Sequence, residues 1–213
     1  MRKVFTQYNF LPHSLYNDIK SEIDNIDTDK LTAGRSCLDL PEDEIKGLQL
    51  PFINHFNELY TNSQTFWKSL CMIFSIDMPR DFREDYIEPK SGRISEKNYF
   101  SYSRMDVGWG FEGYGICHGG RGNHIDNYTR IISCILYFSD QSDFEGGEHC
   151  LTDSKGNVDQ KINIAENLLI ASVQDSNAWH KVNPIKKVIK SRISIYFALS
   201  HGCTKGTSYK NLG

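Results

Sequence analysis

Arg130-Ile131-Ile132-Ser133-Cys134-Ile135-Leu136-Tyr137-Phe138 is a nearly unbroken run of apolar and β-branched residues. A strand with one wet face alternates apolar with polar, so a run this continuous predicts a strand covered on both faces, in the middle of a sheet. Its period of two sets Ser133, Ile135 and Tyr137 on one side and Ile132, Cys134, Leu136 and Phe138 on the other. A second strand, Arg192 to Leu199, has the same kind of division. Ile193, Ile195, Phe197 and Leu199 share an apolar face, while Arg192, Ser194, Tyr196 and Ala198 share the opposite one. An arginine on an inward face is a buried cation and needs an anion. Its planar fork suits a carboxylate, to which the Ser194 and Tyr137 hydroxyls offer further donors.

Immediately upstream lies Gly122-Asn123-His124-Ile125-Asp126-Asn127. On a strand, residues two apart project from one face, so His124 and Asp126 offer an imidazole and a carboxylate to one point. A second distal imidazole, such as His180, completes a two-histidine, one-carboxylate set of the kind that holds non-haem ferrous iron with open positions. His180 follows the turn-like Gln174-Asp175-Ser176-Asn177 and is positioned to begin a strand. The other histidines carry less. His13 and His55 fall in the helical part and His201 in the terminal segment; His118 and His149 lie nearer but have no ligand-spaced partner beside them.

Around this core the chain divides into an N-terminal helical part and a strand-rich part. Apolar residues at helical spacing predict a helix over about 14–26, with Leu15, Ile19, Ile23 and Ile26 as its stripe, and a second over about 51–74, broken near Asn62-Ser63. The second carries Phe52, Ile53, Phe56, Leu59, Tyr60, Phe66, Leu70 and Ile73. Residues 27–50 read as a loop and 77–98 as a charged connection. Further strands are expected at about 99–105, 167–172 and around Asp143 to Cys150. Seven or so short strands with helices segregated to one end predict a mainly β chain with N-terminal helices: a β-sandwich or jelly roll backed by α-helices. The expected organisation is one domain, with 1–98 as helical support and connecting loop, 99–200 as the β core and 201–213 as a tail.

With 24 basic against 27 acidic residues, the formal charge is −3. No basic footprint for nucleic acid follows from this balance. No apolar run approaches a bilayer span and the first ten residues lack the pattern of a secretory signal, so a cytoplasmic location is expected. Cys37, Cys71, Cys117, Cys134, Cys150 and Cys203 contain no Cys-x-x-Cys pair and read as reduced thiols.

From Tyr114 to Leu199 the chain resembles the iron(II)- and 2-oxoglutarate-dependent dioxygenases, most closely the prolyl 4-hydroxylase-like branch. The residues that carry the resemblance are His124-x-Asp126, Arg130 opening the strand that ends in Leu136-Tyr137-Phe138, Gly146-Gly147-Glu148, His180 followed by Val182-x-Pro184, and Arg192. The resemblance implies a double-stranded β-helix (jelly roll), with His124, Asp126 and His180 as iron ligands and catalytic centre. It implies that Arg192 anchors the distal carboxylate of 2-oxoglutarate, with Tyr137, Tyr114 and Ser194 as further cosubstrate-binding residues. Arg192, where many prolyl 4-hydroxylases carry lysine, favours the cytosolic members. A carboxylate at Asp126 disfavours the halogenating variants, which leave that position to a halide.

The activity implied is hydroxylation of an unactivated C–H bond with Fe(II), 2-oxoglutarate and O2, releasing succinate and CO2. A prolyl residue in a peptide or protein is the first expectation for the substrate. A free amino acid or small metabolite is the alternative, and a non-catalytic cupin-like metal-binding module stands as a reading of a different class. A nucleic-acid substrate is disfavoured and no membrane partner is expected.

Overall fold

The computed structural model describes residues 3–25, 51–61, 63–78, 99–108, 121–126, 130–190 and 192–201. Eleven strands are present among these: β1 (Val4–Gln7), β2 (Tyr99–Gly108), β3 (Arg121–His124), β4 (Arg130–Tyr137), β5 (Phe144–Gly146), β6 (His149–Thr152), β7 (Val158–Ile162), β8 (Leu169–Val173), β9 (His180–Val182), β10 (Ile185–Val188) and β11 (Arg192–His201). They form a five-stranded sheet in the order β1-β8-β4-β11-β2, a four-stranded sheet in the order β3-β9-β6-β7, and a two-stranded ladder of β10 with β5. Every pairing is antiparallel. The run at 130–138 is the central strand of the large sheet, flanked by β8 and β11.

The reason for its continuous hydrophobicity is visible in the packing. Ile132, Cys134, Leu136 and Phe138 enter the core shared with the helices, together with Ile195, Phe197 and Leu199 of β11. Tyr137 and Ile135 enter a second core, between the sheets, with Phe144, Leu151, Ile162, Ile164 and Ile170. Both faces of β4 are therefore covered, as its lack of alternation requires.

Three helices back the sheet: α1 (His13–Asp24), α2 (Pro51–Phe56) and α3 (Gln64–Phe74). Proline at the N-cap of α1 pre-sets the chain entry, and Tyr16, Ile19 and Ile23 form the buried stripe. Tyr16 stacks on Phe138 with ring centroids 5.2 Å apart. The stripe begins at Tyr16 instead of Leu15, which is half-buried, and Ile26 lies outside the described residues.

The expected second helix is broken where Asn62-Ser63 suggested. A π-helical turn (Asn57–Thr61) follows α2, and Ser63 then caps α3 by accepting from the Phe66 amide. The wider turn and the break reset the helical phase. That is why the apolar stripe beyond α2 differs from the one read in the sequence: Trp67, Leu70, Cys71 and Phe74 are buried, while Leu59 and Ile73 are exposed; Phe52, at the start of α2, is exposed as well. Phe56, Phe66 and Trp67 close around Phe197 of β11, with ring centroids 5.3 to 5.9 Å from it.

Three strands were absent from the sequence reading: β1, β7 and β10. β1 pairs in register with β8, Val4 opposite Ser172 through Gln7 opposite Leu169. The chain is fixed again at Asn167, whose side chain accepts from the Leu11 amide at 2.8 Å and donates to the Leu11 carbonyl at 2.9 Å. The N-terminal segment thus contributes a strand as well as helices. β11 also runs to His201, one residue into the expected tail. The loop at 27–50, most of the connection at 77–98 and residues 202–213 lie outside the described residues. Among the described residues, no helix is long and apolar enough to cross a membrane.

Candidate metal and cosubstrate site

His124 ends β3 and stands directly opposite His180, which opens β9. Paired residues of an antiparallel ladder present their side chains to the same face. The two rings consequently meet with centroids 4.3 Å apart. Asp126 lies two residues beyond the end of β3 and is only 7% exposed. Its Oδ1 is 3.7 Å from His124 Nε2 and 3.9 Å from His180 Nε2. One ligand atom from each of the three residues lies within 4.8 Å of the others, a grouping that could hold a metal ion.

Each member is held from behind. Asn123 donates from Nδ2 to the Asp153 carbonyl at 3.1 Å and accepts from the Thr152 hydroxyl, which fixes the end of β3 to the turn after β6. His180 Nδ1 donates to the Ala178 carbonyl at 2.9 Å. A carbonyl only accepts, so this bond fixes the Nδ1–H tautomer and leaves Nε2 with its lone pair toward Asp126. Asp126 Oδ2 accepts from Ser133 Oγ at 2.7 Å and from the Tyr196 hydroxyl at 3.1 Å. Ser133 and Tyr196 are themselves 2.8 Å apart. Arg130 Nη1 lies 3.4 Å from Asp126 Oδ1, and its guanidinium sits over the Tyr196 ring.

These contacts decide the charge of the aspartate. Burial pushes its pKa up, but the adjacent His124, the Arg130 guanidinium and the bond from Ser133 outweigh it and hold the carboxyl well below the ordinary range. The donor set is thus two imidazole nitrogens and an ionised carboxylate, the chemistry that a ferrous ion with open positions accepts.

The Gly146-Gly147-Glu148 motif supports this site at one remove. Gly146 has φ +86°, and a Cβ there would stand 2.0 Å from the Pro184 carbonyl oxygen, so the turn after β9 packs where only glycine fits. The Gly147 amide donates to the Asn183 carbonyl and the Asn183 amide to the Glu148 carbonyl, both at 3.1 Å. Asn183 Nδ2 adds a bond to Glu148 Oε2 at 3.0 Å. This clasp sets where β9 ends and therefore where His180 stands.

Arg192, Ser194 and Tyr196 lie on the inner face of β11 as the period of two predicts, and all three are buried. Ser194 is paired directly opposite Tyr137 of β4. Arg192 Nη2 donates to the Tyr137 hydroxyl at 3.3 Å, while its Nε is buried with no partner. No carboxylate pairs with Arg192 among the described residues. Tyr114 lies outside them.

Residues that the sequence reading passed over also belong here. His149, set aside for want of a ligand-spaced partner, lies 5% exposed with its ring stacked on His180, centroids 5.4 Å apart and planes within 15°. Burial, and with it the charge of Arg192, pushes its pKa down to about 3. Ser133 and Tyr196 were placed on the inner face by alternation, but nothing in the sequence joined them to Asp126.

Residues 110–199 match the 2OG-Fe(II) oxygenase superfamily. A PKHD-type hydroxylase of Aliarcobacter butzleri (strain RM4018) is 30% identical over 83 residues, 34% of this chain and 35% of that protein. The match thus spans about a third of the relative's length. In fold, the chain is similar to a prolyl-4-hydroxylase of Pseudomonas putida, with TM-score 0.59 and 13% identity over 94% of this chain and 93% of that one. It is also similar to a prolyl hydroxylase from Trichoplax adhaerens solved with a peptide fragment of the hypoxia inducible factor oxygen degradation domain, with TM-score 0.53 and 15% identity over 92% and 83% of the two chains. Residues 110–199, which contain the His-Asp-His group, are thus similar in sequence to the 2OG-Fe(II) oxygenase superfamily, a family whose chemistry takes Fe(II), 2-oxoglutarate and O2, and the chain is similar in fold to prolyl hydroxylases.

Proposed function

We propose that this chain is a 2-oxoglutarate-dependent hydroxylase acting on a prolyl residue of a peptide or protein. The observation that carries the reading is Arg192: a cation 8% exposed, on the inner face of β11, with Nε unpartnered and no carboxylate beside it among the described residues. Such a group is stable only if an anion completes it. A dicarboxylic 2-oxo acid does so with one end while its oxo-acid end reaches the three-residue cluster.

In this reading His124, Asp126 and His180 hold Fe(II), and Arg192, with the Tyr137 hydroxyl, holds the distal carboxylate. The iron, the oxo acid and O2 together supply the oxidation: one oxygen atom enters the substrate C–H bond as hydroxyl, and the other leaves in succinate as CO2 is released. The protein's part is orientation and exclusion of water. Asp126 stays ionised through Arg130 and Ser133. His180 presents Nε2 because Ala178 takes the Nδ1 proton. Arg192 and Tyr137, both on the inner face, fix the direction in which a bound oxo acid points. No side chain is required to act as general acid or base. The peptide substrate is supported by the prolyl hydroxylases that share the fold, one of them solved with a peptide.

The test is succinate release in air with Fe(II), 2-oxoglutarate and a panel of proline-containing peptides set against free amino acids. A peptide that stimulates succinate and gains one oxygen atom at proline is the expected result. Stimulation by a free amino acid alone would move the substrate to a small molecule. Metal binding without any succinate would favour the cupin-like binding module.

A further inference from the structure

The ladder between β3 and β9 is irregular right beside the proposed iron ligands. Arg121 stands opposite Val182 and His124 opposite His180, so three steps along β3 are matched by two along β9. Gly122 and Asn123 together oppose Lys181, which makes a β-bulge immediately before His124. Continued in the register set at Arg121, the ladder would bring Asn123, and not His124, opposite His180. A slip of one residue turns each side chain to the other face of a sheet. The bulge therefore decides whether His124 shares a face with His180.

A bulge disrupts the ladder where it lies, so something else must hold it. Here the turn between β6 and β7, residues 153–157, does so. Asn123 Nδ2 donates to the Asp153 carbonyl at 3.1 Å and to the Ser154 carbonyl at 3.4 Å, while its Oδ1 accepts from the Thr152 hydroxyl. From the opposite strand, Lys181 Nζ donates to the Gly156 carbonyl at 3.0 Å. Asp153 closes the turn itself: its Oδ1 accepts from the Lys155 and Asn157 amides, both at 2.9 Å, and its Oδ2 from Asn157 Nδ2 at 2.7 Å. The residue before His124 and the residue after His180 are thus tied to one short turn. Resting on the function proposed above, we propose that this turn is a register lock for the metal centre, with Asn123 and Lys181 as positioning residues that hold the bulge and keep His124 opposite His180. Both act through the histidines beside them. β3 is four residues long, so little else in its ladder opposes a slip. Released from the turn, the strand can move by one residue, which takes His124 off the shared face and leaves the site short of a ligand.

The experiment is anaerobic Fe(II) titration of the wild type, Asn123→Ala, Lys181→Met, Asp153→Ala and the double variant Asn123→Ala/Asp153→Ala. Co(II) absorption spectra and urea unfolding of the metal-free proteins accompany it. Asn123→Ala should weaken Fe(II) about 10- to 100-fold, the usual effect of removing a group that orients a metal ligand. Lys181→Met keeps the apolar stem without the donor and should weaken it less. Asp153→Ala removes bonds within the turn, yet should weaken Fe(II) in the same direction, and the double variant should lose little beyond Asn123→Ala alone. The Co(II) bands of Asn123→Ala should move as a protein ligand is lost, whereas a residue that served stability alone would shift the unfolding midpoint and leave the bands in place. Wild-type Fe(II) affinity in any folded single variant would overturn the lock. So would unmoved Co(II) bands, or losses from Asn123→Ala and Asp153→Ala that simply add. If Asn123→Ala does not fold, the affinities of Lys181→Met and Asp153→Ala decide by the same criterion. Those results leave the proposed function standing, whereas a wild type that binds no Fe(II) overturns both.

Discussion

Ser133 Oγ donates to Asp126 Oδ2 at 2.7 Å from the inner face of the central strand, which turns the other carboxylate oxygen toward two histidines. The Tyr196 hydroxyl reaches the same Oδ2 from the neighbouring strand. The orientation of the Asp126 carboxylate, a proposed metal ligand, is thus written into β4 and β11, the two strands whose alternation also sorts the cores.

Releasing that oxygen should loosen the metal without unfolding the chain. Ser133→Ala and Tyr196→Phe are each expected to lower Fe(II) affinity about 10- to 100-fold, the usual cost of removing an outer hydrogen bond to a metal ligand. Because the two hydroxyls also bond each other, the double variant should lose less than the sum of the singles. Anaerobic metal titration gives the affinities, and thermal unfolding of the metal-free proteins checks that the fold is kept.

Gly146→Ala probes the clasp between the Gly-Gly-Glu motif and the turn after β9. The new methyl would meet the Pro184 carbonyl on a backbone already at φ +86°. A loss of more than about 1 kcal/mol is expected in urea unfolding. An unchanged midpoint would show that the turn moves freely aside.

Phe197 lies fully buried between the helices and β4. Truncation to alanine should cost about 3–5 kcal/mol. Met72, on the same helical layer but 79% exposed, should change stability by less than about 0.5 kcal/mol when replaced by serine. Chemical denaturation of the two variants side by side distinguishes the buried stripe of α3 from its outer face.

Much of the fold was legible because β4 and β11 are long enough for their pattern to be unambiguous. Ile132, Cys134, Leu136 and Phe138 on one side, and Tyr137 on the other, can be assigned from period alone, and both cores follow. β1, at four residues, and β10, a Lys-Lys pair between Ile185 and Val188, offer no such pattern. They become strands through partners distant in sequence, β8 and β5. The helical stripe at 51–74 was misread at Leu59 and Ile73 because a π-helical turn shifts phase, and composition does not encode where the wider turn falls. Of the proposed site residues, His124 and Asp126 were legible as a pair through their spacing, Arg192 and Tyr137 as inward-facing through strand alternation, and His180 through its place after a turn. His149 was not, since it is brought to His180 by the pairing of β6 with β9, a tertiary fact with no local trace. Ser133 and Tyr196 face inward by alternation, but their convergence on Asp126 depends on where the chain re-enters β4.

The central claim is that His124, Asp126 and His180 hold iron while Arg192 holds the far end of a dicarboxylic 2-oxo acid. The direct measurement is the visible spectrum recorded as Fe(II) and then 2-oxoglutarate are added without oxygen, in the wild type, Asp126→Ala and Arg192→Ala. A weak charge-transfer band should appear in the wild type only when both are present, be absent from Asp126→Ala, and fail to form in Arg192→Ala at the same 2-oxoglutarate concentration. No band in the wild type, or an undiminished band in Arg192→Ala, would contradict the account.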